Sequence, residues 1–218
     1  MTEWNGMRVV MIGAARQGLA LSRYLASHGA SVILNDRRPD AALIEAKAEL
    51  TDLDITWVTG SHPFDVLEGA DMVCLSGGVP LDLPLVQEAT RRNIPLSNDS
   101  QIFLERAPCP VIGITGSSGK TTTTALVGEI ARQHYALRKP ENKVWVGGNI
   151  GDPLIQYLDE MAPGDLAVME LSSFQLEIMT TSPHIAAILN LTPNHLDRHQ
   201  SMSAYISAKS HILTYQSP

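Results

Sequence analysis

Apolar runs of four to six residues alternate with longer helical patterns along the whole chain. That rhythm predicts parallel sheets joined by crossover helices, an α/β fold. RVVMIG (8–13) reads as a buried first strand, GLALSRYLASHG (18–29) as a helix closed by Gly29, and SVILND (31–36) as a second strand. Further strands are expected at ITWV (55–58), DMVCLS (71–76) and IPLS (94–97), with helices at 83–92 and at 99–106, the latter N-capped near Asp99 or Ser100. Ala107-Pro108-Cys109-Pro110 breaks the pattern, and a second strand-loop-helix series then opens at VIGIT (111–115). It continues through the helix TTTTALVGEIARQ, strands at VWV (144–146), DLAVMEL (165–171) and IAAILNL (185–191), and a last helix at about 203–215. The expected organisation is a Rossmann-like amino-terminal domain over 1–107, followed by a P-loop-type α/β domain over 108–218.

Composition narrows the partners. The 218 residues are 44% hydrophobic and 18% charged, ordinary for a packed domain. Lys+Arg 16 against Asp+Glu 23 gives a net charge of −7, and basic residues never run more than two together. Neither nucleic acid nor an anionic membrane is therefore an expected partner. The amino terminus lacks a signal-peptide pattern and no apolar run approaches a membrane span, so membrane insertion is not expected and the cytoplasm is the expected location. Cys74 and Cys109 lie in apolar surroundings without metal-ligand spacing and are expected to be buried free thiols.

Two glycine-rich turns carry candidate chemistry. Gly13-Ala14-Ala15-Arg16-Gln17-Gly18 follows the first strand and opens a helix, where amides and the helix dipole can meet a phosphate. Ala15 stands where a dinucleotide fingerprint has its middle glycine, which weakens a nicotinamide reading. Asp36 suits a ribose, while Arg37 and Arg38 equally suit a phosphate or uracil. The second turn, Gly116-Ser117-Ser118-Gly119-Lys120-Thr121-Thr122 after VIGIT, is the stronger signal. Small residues there expose amides, Lys120 reaches β/γ oxygens, and the Thr121 hydroxyl can ligate Mg²⁺. Glu170 ends a neighbouring strand as a metal carboxylate would, with Ser172, Ser173 and Gln175 close behind, and His195 follows the next strand toward the same edge. In the last helix Tyr205, Lys209 and Ile212 are spaced i, i+4, i+7, which puts a lysine on an apolar stripe. Desolvation there would lower its pKa and free a neutral amine for carbamylation, unless it snorkels.

The stretches TGSSGKTT, GGNIGDPL, ELSSFQLE, LNLTPNHLDRH and YISAKSHIL occur in that order, and with them the whole chain resembles the Mur ligases of peptidoglycan synthesis, most closely those that add D-glutamate. The resemblance implies an ATP-dependent amide-bond ligase that acts on UDP-N-acetylmuramoyl-L-alanine, D-glutamate and ATP with Mg²⁺, through an acyl phosphate. It implies Arg16, Gln17, Arg37, Arg38 and Gly78 for the UDP part, Gly116 to Thr122 for ATP, and Asn149, Ser172, Gln175 and His195 for the diphosphate and sugar. Catalytic roles fall by the same resemblance to Lys120, Glu170, His195 and Lys209. Thr121, Glu170, His195 and a carbamylated Lys209 would hold metal. Ser118 and Asn194 depart from the family's usual Asn and acidic residue. The family continues beyond the position of Pro218 into a third domain, so this chain is expected to lack that carboxy-terminal domain and complete ligase activity. The alternatives are a non-catalytic UDP-sugar-binding module and an NAD-dependent oxidoreductase.

Overall fold

Residues 4–216 are described by a computed structural model, in which the chain divides into two compact units, Met1–Asp99 and Ser100–Pro218. The first unit holds a five-stranded, all-parallel sheet in the order β3-β2-β1-β4-β5. Its strands are β1 (Arg8–Ile12), β2 (Ser31–Asp36), β3 (Ile55–Thr59), β4 (Met72–Leu75) and β5 (Leu96–Ser97). Helices α1 (Arg16–Ser27), α2 (Ile44–Glu49) and α3 (Pro84–Arg91) make the crossovers, with Pro84 in the first turn of α3, where its missing N–H has no partner to lose. Val9, Val10, Met11 and Ile12 are fully buried, as expected of a central parallel strand covered on both faces.

The second unit carries a four-stranded parallel sheet, β7-β8-β6-β9, formed by β6 (Val111–Thr115), β7 (Val144–Gly148), β8 (Leu166–Glu170) and β9 (Ile185–Ile188). Its helices are α4 (Asp99–Arg106), α5 (Lys120–Arg138), α6 (Ser173–Leu176), α7 (Leu196–His199) and α8 (Met202–Thr214). In each sheet the chain reverses its direction of winding beside a central strand, β1 in the first and β6 in the second. Ligands of open α/β sheets bind outside the carboxyl ends of the strands at such a point. Both glycine-rich turns leave from there.

The strand and helix order follows the expected pattern, with three differences. The division falls after Asp99 instead of at the expected Ala107 and Pro108. The cause is the polar face of α4. Gln101 donates to Thr180 Oγ1 (2.9 Å) and accepts from the Thr180 amide (2.7 Å), while Ser100 Oγ accepts from Gln175 (2.7 Å), so α4 belongs with the residues that follow it. β9 ends at Ile188, short of the expected Leu191, because the next residues turn to follow the phosphate-type loop. The short helices α2, α6 and α7 carry too few apolar positions to show a 3.6-residue period in sequence. Cys74 and Cys109 are buried free thiols, as expected.

Candidate functional site

In the first unit the turn after β1 is organised by a carboxylate. Asp36, at the end of β2, accepts the Ala14 amide (2.8 Å), the Arg38 amide (2.8 Å) and both arms of the Arg38 guanidinium (3.0 and 2.8 Å). Burial opposes ionisation, but Arg38 and the two amides outweigh it and hold the carboxyl at about 2. Arg38 also donates to the Ala14 carbonyl (2.9 Å), so it clips the turn from both sides. Gly18 completes the packing: a Cβ there would overlap the Gly13 carbonyl, so only glycine lets α1 start this close to β1. Asp36 thereby fixes the shape of the turn. Gln17 accepts the Gly77 amide (3.1 Å), and a Cβ at Gly77 would strike the Gln17 side chain, while Gly78 beside it has open space. Arg16 and Arg37 are exposed at this end of the sheet.

In the second unit the loop 116–119 joins β6 to α5. Lys120 Nζ donates to the Gly116 carbonyl (3.1 Å), at the head of the helix whose first amides and dipole favour an anion. Across the sheet, Glu170 ends β8 only 2% exposed. Its two oxygens accept from Thr121 Oγ1 (2.8 Å) and from Asn149 Nδ2 (2.9 Å). The GGNIG turn is built for this arrangement. Gly148 has φ +102°, a Cβ on it would lie 2.6 Å from the Glu170 carbonyl, and the Asn149 amide donates to that same carbonyl (2.9 Å). The groups hydrogen-bonded to Glu170 are neutral, and a buried carboxylate is ordinarily compensated by a cation or metal. The oxygen donors of Glu170 and Thr121 therefore suit Mg²⁺, which takes few protein ligands and keeps several waters.

Lys209 is 1% exposed on α8, donates to Thr115 Oγ1 (3.0 Å) at the end of β6, and lies over the Tyr205 ring at 4.9 Å. Burial, reinforced by Lys120 and partly opposed by Glu170, pulls its amine down to about 8. It does not snorkel. Beneath it, Tyr205 bonds Ser117 Oγ (3.0 Å).

His195, exposed with φ +52°, sets its ring edge-on to Phe174 (5.1 Å), whose face is stacked on the buried His199. Burial, together with nearby cationic side chains, lowers the His199 pKa, so it sits neutral against Ser173 (2.9 Å). Among the described residues no group of three or more His, Cys, Asp and Glu side chains is arranged to hold a metal ion; of the expected four, Thr121 and Glu170 are hydrogen-bonded to each other. Ser172 and Gln175 form a capping box at the start of α6, and Gln175 is buried with its amide on Ser100. One residue outside the expected set joins the loop. Asn190, half-buried after β9, bonds Ser118 through its side chain; its only signal in the sequence is a polar position interrupting the apolar run IAAILNL.

Two all-parallel units, one with a glycine-rich turn locked by its own acidic residue and one with a Lys-Thr loop facing a buried glutamate, define the amino-terminal and middle domains of a Mur ligase. Residues 7–98 match the Mur ligase MurD-like N-terminal domain and residues 114–218 the Mur ligase middle domain; the chain belongs to the Mur ligase family. It is 41% identical over 211 residues to the UDP-N-acetylmuramoylalanine–D-glutamate ligase of Symbiobacterium thermophilum, covering 97% of this chain and 45% of that protein. The enzyme of the same name from Trichlorobacter lovleyi is 40% identical, with 98% and 47% covered. The chain thus spans about half the length of the curated relatives it matches. Among solved structures, the UDP-N-acetylmuramate:L-alanyl-gamma-D-glutamyl-meso-diaminopimelate ligase of Neisseria meningitides superposes with a TM-score of 0.59 at 17% identity, covering 97% of this chain and 69% of that one, a likeness of fold. No helix among the described residues is long and apolar enough to cross a membrane.

Proposed function

We propose that this chain is the substrate-binding and nucleotide-binding portion of an ATP-dependent acid–amino-acid ligase that joins D-glutamate to UDP-N-acetylmuramoyl-L-alanine in the cytoplasm. The relatives' name supports the substrate pair. The observation that carries the reaction class is the buried Glu170 carboxylate bonded to Thr121, in the first turn of the helix that follows a glycine-rich loop ending in Lys120.

The substrate carboxylate attacks the γ-phosphorus of ATP, ADP leaves, and the D-glutamate amine then displaces phosphate from the acyl phosphate to form the amide, losing a proton. Lys120 and the amides of the first turn of α5 neutralise charge that builds on the phosphoryl oxygens, the dominant contribution a protein makes to phosphoryl transfer. Magnesium, when bound, supplies further charge neutralisation there. Thr121 and Glu170 offer it oxygen ligands, and Asn149 holds the second Glu170 oxygen so that the carboxylate keeps one orientation. His195 would add a nitrogen ligand. Lys209, buried and easily deprotonated, is suited to take up CO₂ as a carbamate, losing a proton and presenting two new oxygens beside Thr115. In the first unit Arg16, Arg37, Gln17 and Gly78 would receive the uridine diphosphate, around a turn whose shape Asp36 and Arg38 fix.

Binding of MgATP by the purified chain tests this reading. Saturable binding that depends on Mg²⁺ and is lost in Lys120→Ala is expected. Nucleotide binding that ignores both Mg²⁺ and the Lys120 substitution would refute it.

A further inference from the structure

The loop between β6 and α5 runs alongside a second piece of backbone, the four residues that follow β9. The Leu189 amide donates to the Thr115 carbonyl (3.0 Å), the Ser117 amide to the Asn190 carbonyl (3.0 Å), and Ser117 Oγ both accepts from the Thr192 amide and donates to the Thr192 carbonyl (2.9 Å each). The Asn190 side chain adds a two-point clamp: its Oδ1 accepts the Ser118 amide (3.0 Å) and its Nδ2 donates to the Ser118 carbonyl (3.0 Å). Ser118 Oγ leans on the same oxygen at 3.4 Å. Ser118 is exposed and Asn190 half-buried. The apex of the loop is thus held by a carboxamide that pairs with both of its peptide groups, as a neighbouring strand would.

We propose that Asn190 is a positioning residue of the nucleotide site, one that presets the loop for a triphosphate and ties it to the segment carrying His195. This rests on the reading of the loop as an ATP cradle. Its content is specific. The Ser118 amide is committed to Asn190, so the phosphates are received by amides from Gly119 onward, and Ser118 serves the loop's shape, not the ligand. An apex already fixed before binding does not lose its backbone freedom on binding, which is the gain a clamp provides. The clamp also links the two sides of the site: Asn190 bonds the loop, and the same strand of chain reaches His195 a few residues later. Departure of this loop residue from the family's usual Asn leaves the clamp unaffected, since Asn190 pairs with the backbone of Ser118.

The test compares the unsubstituted 218-residue chain with Asn190→Ala and with Asn190→Asp, which keeps the shape and the acceptor but removes the donor. Two readouts are taken: hydrogen exchange of the Ser118 amide without nucleotide, and affinity for MgATP by calorimetry, with thermal melting as the check on folding. Faster Ser118 exchange and roughly tenfold weaker MgATP binding are expected in Asn190→Ala, the scale of two lost neutral hydrogen bonds. Asn190→Asp should also bind more weakly, since its second carboxylate oxygen meets the Ser118 carbonyl where Nδ2 donated. Unchanged or tighter MgATP binding in either folded variant, or unchanged Ser118 exchange in Asn190→Ala, would overturn the proposal. Failure of the unsubstituted chain to bind MgATP would instead overturn the functional reading on which it rests.

Discussion

Replacing Asp36 with Asn removes one charge from a carboxylate that four donors hold in place: the Ala14 amide, the Arg38 amide and two guanidinium nitrogens. The carboxyl titrates at about 2 in the folded chain against an ordinary 3.8. Converted at 1.36 kcal/mol per pH unit, that difference makes the ionised group worth about 2 kcal/mol to folding at neutral pH. Because the folded value lies below the unfolded one, this stabilisation is complete above 3.8 and is lost as the pH falls through 2. Urea denaturation of Asp36→Asn and the unsubstituted chain at pH 7 should differ by roughly 2 kcal/mol, and the gap should shrink to about half of that at pH 3. The part due to the exposed Arg38 arm should weaken in high salt, the part due to the Ala14 amide should not. A ¹³C titration of the Asp36 carboxyl gives the direct reading, a midpoint near 2. A midpoint near 3.8, or a stability gap that does not change with pH, would refute the assignment of Asp36 to the turn.

Lys209→Met removes a buried amine whose folded value of about 8 lies below the ordinary 10.5, so the wild-type chain gains stability as the pH rises between those values. The variant should be more stable at pH 7 by up to about 3 kcal/mol, less whatever the bond to Thr115 contributes, and the advantage should fade by pH 10; paired denaturation curves at the two pH values check this. Gly148→Ala forces a side chain into φ +102° and against the Glu170 carbonyl, at a backbone cost of about 1–2 kcal/mol before any overlap is counted. Calorimetric melting should show the loss, and MgATP affinity should fall with it as Asn149 is displaced from Glu170. Thr121→Val keeps the helix but withdraws the hydroxyl from Glu170, so Mg²⁺ dependence of nucleotide binding should weaken while binding of uridine nucleotides stays unchanged.

The central strands were legible because full burial leaves continuous apolar runs, as in RVVMI and LAVME. The phosphate-type loop and Glu170 were legible because strand ends and glycine-rich turns have fixed places in a parallel sheet. The spacing of Lys209 with Tyr205 and Ile212 left burial and snorkelling both open, and the structure buries all three. What the sequence concealed was how polar side chains are shared. That Asp36 gathers donors from Ala14 and Arg38, and that Gln175 closes the cap of α6, carries no signal in the sequence. The place of α4 is hidden in the sequence for the same reason. Two prolines mark a break in pattern, whereas hydrogen bonds from Ser100 and Gln101 across more than seventy positions decide the side to which α4 belongs.

The most direct measurement is calorimetric titration of the purified chain with UDP-N-acetylmuramoyl-L-alanine, with UDP and NADH as comparison ligands. Saturable binding of the muramoyl nucleotide, tighter than UDP, is expected, with NADH silent because the turn after β1 is shaped around Asp36. Binding of NADH with no response to the muramoyl nucleotide would contradict it, and would return the first unit to a dinucleotide site.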